Sequence, residues 1–441
     1  MAYLPIMIPK TFRTKATWVT AFALFSLFFG AGNLILPPQL GFKSGDLWGL
    51  VTLGFCASAV LIPLLGILAH ARLQGTIFDF GKKVSPAFSL GYSLVVYAIS
   101  ISLPSPRTAS VTHEMAIAPF FETPPLLTSI LYFALVFVFV MNRSKILDIV
   151  GKLLTPAILL ILIAIIGVIT FSFEYQFPDT AFGNPFTNSI LEGYQTFDAI
   201  GAVVVGGVII VSININQKQA SYAEKKALIG SAGWLAGLGL FLIYTGLILS
   251  GALVHNSFED DISRTGLLSG MATLSLGSIG NLFLSILVAL ACFTTAVGIV
   301  TGTSDFIRSR FHNSQKAYFI TAIIGCLLGV VMGQFDVSYI IAVALPALMI
   351  IYPNTIVLIL LNVLPEKYAS PKVFKAVVWT TIVCSIPDFL ASIGSPLAPK
   401  GGILEWIPLQ QYSLGWVLPA LVVFLIVNAI GFWGESKINE E

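Results

Sequence analysis

Four stretches set polar groups where chemistry is possible inside otherwise apolar sequence. They are LFFGAGNLILPP at 27–38, LPSPRTAS at 103–110, EGYQTFDAIGAVVVGGVIIV at 192–211 and ALACFTTAVGIVTG at 289–302. In the first, Gly30 and Gly32 are two apart, so they face different sides of a helix and make a poor packing stripe. With Asn33 next and Pro37 and Pro38 beyond, the pattern predicts an unwound break around Gly30 to Asn33. Such a break leaves free carbonyls at the negative end of the first half-helix, which suit a small cation. The second half-helix, expected to begin near Leu34, presents free amides at its positive end, which suit a carboxylate. A site with both features accepts a zwitterion together with a sodium ion.

The third stretch carries Gly193, Gly201, Gly206 and Gly207 around Asp198. An ionised carboxylate at mid-membrane costs roughly 2.5 to 3.5 kcal/mol on insertion scales, so it faces a partner or a water-filled path. Asp198 could bind a substrate ammonium, hold an ion, relay a proton or simply cap a broken helix. Arg107, freed from a regular helix by Pro104 and Pro106, either pairs with an acid such as Glu114 or reaches substrate. Thr294 and Thr295, with the carbonyl of Ala291 one turn before, can complete an oxygen cage for a hard cation. The competing reading is that each hydroxyl bonds a carbonyl of its own helix. Phe28, Phe29, Phe197 and Ile200 beside the expected breaks favour an aliphatic substrate side chain. Tyr97 and Tyr244, polar-tipped in apolar runs, read as core or interface.

The elements that must position these groups follow from composition. The chain of 441 residues is 56% hydrophobic and 10% charged, with a mean hydropathy of +0.92, against roughly 25% charged residues in a soluble domain. Continuously apolar runs recur from end to end, which predicts an all-α membrane protein and excludes a barrel, whose strands alternate. About twelve spans are expected by length, centred near Phe29, Ala59, Ser100, Val136, Leu162, Val205, Phe241, Ala291, Ile323, Met349, Cys384 and Leu425. Cys56, Cys292, Cys326 and Cys384 lie in apolar runs without paired spacing, so neither disulfides nor a zinc site is expected.

Basic residues mark every second connection: Lys10, Arg13 and Lys15; Arg72, Lys82 and Lys83; Arg143, Lys145 and Lys152; Lys218, Lys225 and Lys226; Arg308, Arg310 and Lys316; Lys367, Lys372 and Lys375. The alternate connections contain Lys43, Arg264 and Lys400 but also the acids Glu174, Asp179, Glu259, Asp260, Asp261 and Asp336. The asymmetry puts both termini in the cytoplasm. A net charge of +2 is then a sorting signal, and nothing points to nucleic acid. The MAYLPIMIPKTFRTK segment lacks a cleavage site of small residues and reads as a retained tail.

Glycine-interrupted spans in the first and sixth positions imply a five-helix unit used twice in opposite orientation. The expected division is a tail at 1–15, a first repeat at 16–172, a second at 190–362, two further spans at 372–434 and a tail at 435–441.

Taken together, FSLFFGAGNLILPPQLG, PRTASV, EGYQTFDA, ACFTTAVGI and the tyrosine-proline step in ALMIIYPN resemble the bacterial branched-chain amino acid:cation symporter family. The resemblance runs over essentially the whole chain. It implies uptake of leucine, isoleucine and valine with sodium or protons across the bacterial cytoplasmic membrane. It also implies the five-plus-five inverted repeat of the amino acid–polyamine–organocation superfamily, with helices 1 and 6 broken and two extra C-terminal helices. By position it implies a sodium site of Ser26, Phe29, Ala291, Thr294 and Thr295. The substrate carboxylate would meet the backbone of Ala31, Gly32 and Asn33, beside Phe29. Its ammonium would meet carbonyls around Thr196 and Phe197, with Asp198 at the edge. The family usually has methionine where this chain has Phe197, and a glycine-proline-rich approach where it has ISISLPSPRT. Sodium is the expected coupling ion, with a proton as the alternative; no cofactor and no obligate protein partner is expected.

Other classes fit less well. A membrane-embedded transferase could use FEDD at 258–261 to hold magnesium and pyrophosphate, but the cluster is single, lies on the outer side and has no basic phosphate cradle. No filter-like repeat suggests a channel, and no GxxxxGK[ST] motif suggests a primary pump.

Overall fold

The computed structural model describes residues 14–142, 146–216, 220–395 and 408–438. Lys10, Arg13, Arg143, Lys145 and Lys218 of the charge pattern, and the terminal residues 439–441, lie outside the described residues. All regular structure in the described residues is helical. The first half comprises α1 (Lys15–Phe28), α2 (Ala31–Ser44), α3 (Trp48–Cys56), α4 (Ile62–Leu73), α5 (Ile77–Gly81), α6 (Pro86–Ser102), α7 (Pro104–Thr112), α8 (Pro125–Asn142) and α9 (Ile146–Ser172). The second comprises α10 (Pro185–Tyr194), α11 (Asp198–Asn216), α12 (Tyr222–Leu253), α13 (Arg264–Arg310), α14 (Gln315–Gly333) and α15 (Val337–Val363). Then follow α16 (Pro371–Ser392) and α17 (Val417–Ile438).

Among the described residues nine segments are long and apolar enough to cross a membrane, and each contains one of the expected centres. Of the remaining centres, Phe29 sits between α1 and α2, Val205 lies in α11 and Leu425 in α17.

Sharp helix starts come from the residues that compete for backbone donors. Ser85 accepts from the Phe88 amide at 3.0 Å and Asp336 from the Tyr339 amide at 2.7 Å. At Ser221 the Glu224 carboxylate closes the cap in return, accepting from the Ser221 amide at 2.8 Å. Leu131, Leu160, Phe171, Leu238 and Leu327 are exposed on helix surfaces, as lipid-facing residues are in a bundle whose solvent is hydrocarbon.

The two broken helices form the centre. α2 is apolar and buried almost all round, with Leu34, Ile35 and Leu36 at zero exposure. Its prolines sit inside the helix, where each removes the amide that would bond four residues back, to Asn33 and Leu34. The closest packing is between α2 and α12. A Cβ on Gly41 would stand 1.8 Å from the Ile248 carbonyl oxygen, and one on Gly251 would stand 2.1 Å from that of Pro38.

Candidate functional site

Both expected interruptions exist, but the first is shorter and the second differently made than the sequence suggests. In the first helix only Phe29 and Gly30 leave helical geometry, and α2 begins at Ala31 instead of near Leu34. The reason is Asn33, whose Oδ1 accepts from the Gly30 amide at 3.3 Å. That one-sided cap restarts the helix at once. Ala31, Gly32 and Asn33 are therefore its first residues, whose amides have no acceptor within the helix.

The second break falls at Gln195, Thr196 and Phe197, which contain no glycine. Phe197 takes the left-handed region, with φ +63°, a strained geometry for an aromatic residue that costs about 1–3 kcal/mol. The glycines of this stretch serve packing instead. Gly193 lets Ser58 approach and Gly206 lets His70 approach, each so closely that a Cβ would overlap them. The Thr196 hydroxyl holds the break together, donating to the Gly193 carbonyl at 2.8 Å and accepting from the Asp198 amide at 3.2 Å.

Asn33 joins the two breaks. Its Nδ2 donates to Asp198 Oδ2 at 2.5 Å and to the hydroxyl of Tyr244 on α12. Asp198 is 4% exposed and Asn33 1%. All three groups of the Asn33 amide that can hydrogen-bond are thus used, and its orientation is fixed.

Arg107, at the start of α7, reaches the same place. Its Nη1 donates to the Gln195 carbonyl at 2.7 Å, and its guanidinium lies over the Phe197 ring, 5.3 Å from the centroid. A pairing with Glu114, one of the alternatives the sequence left open, does not occur, because that carboxylate is committed elsewhere. It accepts from the Thr265 hydroxyl at 2.5 Å and from the Val337 amide at 2.9 Å, tying α13 and α15 to the end of the third span. On the side assigned outward, Arg264 binds Glu192 Oε2 and Gln195 Oε1, each at 3.2 Å, and so clasps α10 to the start of α13.

The expected cation ligands converge only in part. Ser26, Phe29, Ala291 and Thr294, together with Leu154, Thr155 and Ile158 of α9, line a cavity of about 10 Å³. That is room for one occupant about the size of a water molecule. Thr295 is not on its wall; its Oγ1 lies 3.9 Å from the point where a Cβ of Gly30 would sit. Both threonine hydroxyls donate to the Ala291 carbonyl at 2.9 Å, the helix-internal bonding that competes with ion binding. A hydroxyl so bonded still turns its lone pairs away from the helix. The apolar set divides: Phe28 and Phe29 belong to one buried cluster, Phe197 and Ile200 to another.

Thr155, Tyr244 and Tyr352 are the site residues that sequence reasoning passed over or left as core. Tyr352, which precedes Pro353 in α15, has a hydroxyl that accepts from the Ala199 amide at 3.1 Å, and its ring stacks on Tyr194 at 4.3 Å. Ala199 is fully buried in the first turn of α11, so the hydroxyl satisfies a donor that nothing else would. Tyr352→Phe is expected to destabilise the protein by about 1–3 kcal/mol, read as a lower melting temperature in detergent. An unchanged melt would mean that water or a helical carbonyl replaces the hydroxyl.

Two broken helices whose interruptions are locked to one another by side chains are the architecture of the leucine-transporter-type inverted-repeat transporters. The chain superposes on the crystal structure of MhsT in complex with L-phenylalanine with TM-score 0.56 at 17% identity, covering 94% of this chain and 98% of that one. With the inward facing conformation of Mhp1 the TM-score is 0.58 at 14% identity, covering 96% and 91%. Within that class the chain belongs to the branched-chain amino acid transport protein family, which it matches over residues 13–432. It is 32% identical to the branched-chain amino acid permease BraB of Bacillus subtilis (strain 168), over 97% of this chain and 98% of the relative. It is 31% identical to the branched-chain amino acid permease BrnQ of Corynebacterium glutamicum, over 96% of each. These relatives are permeases, which sets enzyme readings such as the FEDD transferase aside. That cluster lies in the turn between α12 and α13.

Proposed function

We propose that this multi-pass transporter carries leucine, isoleucine and valine inward as a sodium symporter, by alternating access around the two breaks. The amino acid sits where α2 begins and α10 ends, with its carboxylate toward the amides of Ala31, Gly32 and Asn33. Its ammonium lies toward the carbonyls around Thr196 and Phe197, with Asp198 beside it. Both termini face the cytoplasm, by the charge asymmetry of the connections.

One observation carries the choice of sodium. The small cavity beside the end of α1 gathers the hydroxyl-bearing residues Ser26, Thr155 and Thr294 in otherwise apolar surroundings. Oxygen ligands around a space of ionic size suit a hard monovalent cation, and the carbonyl end of a half-helix adds negative potential there. Coupling by a proton has its own support in Asp198, a buried carboxyl bridging the two broken helices through Asn33.

Uptake of labelled leucine into proteoliposomes separates the two readings. An inward sodium gradient should drive accumulation, and replacing sodium with choline should stop it even when a proton gradient is imposed. Thr294→Ala should raise the sodium concentration for half-maximal uptake about tenfold to a hundredfold, the value of one charge-assisted bond. Uptake that follows the proton gradient and ignores sodium would move the coupling to Asp198.

A further inference from the structure

We propose that Arg107 binds the carboxylate of the transported amino acid through the open edge of its guanidinium, in concert with the amides that open α2. The proposal rests on the reading above, that the two breaks bind an amino acid, and it names the charged residue that recognises it.

Four observations lead there. Arg107 is only 4% exposed, yet among the described residues it forms no ion pair. No carboxylate touches it: Asp198 is bonded to Asn33 and acts on Arg107 only through space, Glu114 is bonded to Thr265 and Val337, and Glu192 to Arg264. A guanidinium is always charged, and a buried charge needs compensation. Second, Nη1 is satisfied by the Gln195 carbonyl, but Nε is buried with no acceptor. An unpartnered donor inside a protein is uncommon and marks a place that a ligand or water completes.

Third, the free end of the guanidinium lies against Gly32, so close that a Cβ there would come within 2.5 Å of Nη2. Gly32 stands in the first turn of α2, where the helix dipole is positive and the amides await an acceptor. A cation held against a helix N-terminus is repelled unless an anion alongside bridges the two. Fourth, the Phe197 ring packs against the guanidinium, which lies 5.3 Å from the ring centroid, and restricts its movement. The Nε and Nη2 hydrogens then form a flat fork, which matches the two oxygens of a carboxylate.

The substrates so selected are amino acids with a free carboxylate; their amides and alcohols are rejected although side chain and ammonium are the same. Purified full-length protein in nanodiscs gives the test, with affinities for leucine and leucinamide measured by calorimetry on wild type, Arg107→Gln and Arg107→Lys. Wild type should prefer leucine strongly. In Arg107→Gln the affinity for leucine should fall about 30-fold or more, while that for leucinamide changes less than about threefold. Arg107→Lys should recover part of the leucine affinity, since it restores the charge without the fork. If the glutamine variant does not fold, the lysine variant carries the same comparison with a smaller change. Equal losses for leucine and leucinamide would overturn the proposal, because a structural role weakens both alike; so would leucine affinity unchanged in Arg107→Gln. Wild-type protein that binds no leucine would overturn the reading beneath it, a distinguishable failure.

Discussion

Asp198→Ala is expected to cut leucine uptake by about a hundredfold or more, while Asp198→Asn keeps the fold and loses affinity. The alanine variant removes the acceptor of the 2.5 Å bond from Asn33 and leaves a buried amide hydrogen unpaired, at about 1–3 kcal/mol. It also releases the side chain that ties the start of α2 to the start of α11. The asparagine variant can still offer Oδ1 to Asn33, so its melting temperature should stay near that of wild type. Without the charge, leucine should bind about tenfold to a hundredfold more weakly, and uptake should still depend on sodium. Initial rates at several leucine and sodium concentrations in proteoliposomes check both variants. Wild-type kinetics in Asp198→Asn would show that the carboxylate is only a helix cap.

The second large effect is on folding. Gly41→Ala should leave little folded protein, or protein with a melting temperature lower by many degrees. Its methyl would stand 1.8 Å from the Ile248 carbonyl oxygen, and backbone cannot rotate aside as a side chain can. α2 would have to move away from α12, at a cost of about 3 kcal/mol or more. Because Tyr244 and Ile248 share α12, the same displacement would pull Tyr244 from Asn33 and disturb the first break. Gly49→Ala is the matched control, since a Cβ there meets nothing within 4 Å and should change neither yield nor melting temperature. Equal melting temperatures for both variants would show that α2 and α12 are not in backbone contact.

The architecture was legible because its causes are local. Continuous apolar runs need hydrogen bonds within the segment, which leaves only helices in hydrocarbon, and the described bundle is helical. The first break was legible from Gly30, Gly32 and Asn33, which weaken a helix wherever they stand; its length was not, since the Asn33 cap that restarts the helix at Ala31 is a matter of rotamer. The second break was expected in the right span, but for a reason that did not operate. Gly193 and Gly206 make helices close, whereas the interruption lies at Phe197, an aromatic residue held at positive φ that no propensity would choose.

The site shows the same division. By itself the sequence determined which groups are costly in a membrane, and so singled out Asp198, Arg107 and the paired threonines. Only the tertiary structure decided their partners: Asn33 for Asp198, the Gln195 carbonyl for Arg107, and for Glu114 a hydroxyl and an amide in place of the arginine. It alone brought Thr155 of α9 to the cavity beside Ser26, and Tyr244 and Tyr352 to the two breaks. The physical reason is that cost depends on residue type and its neighbours in the chain. Compensation depends on which helix crosses which at a given depth, across as many as 211 residues of sequence between Asn33 and Tyr244.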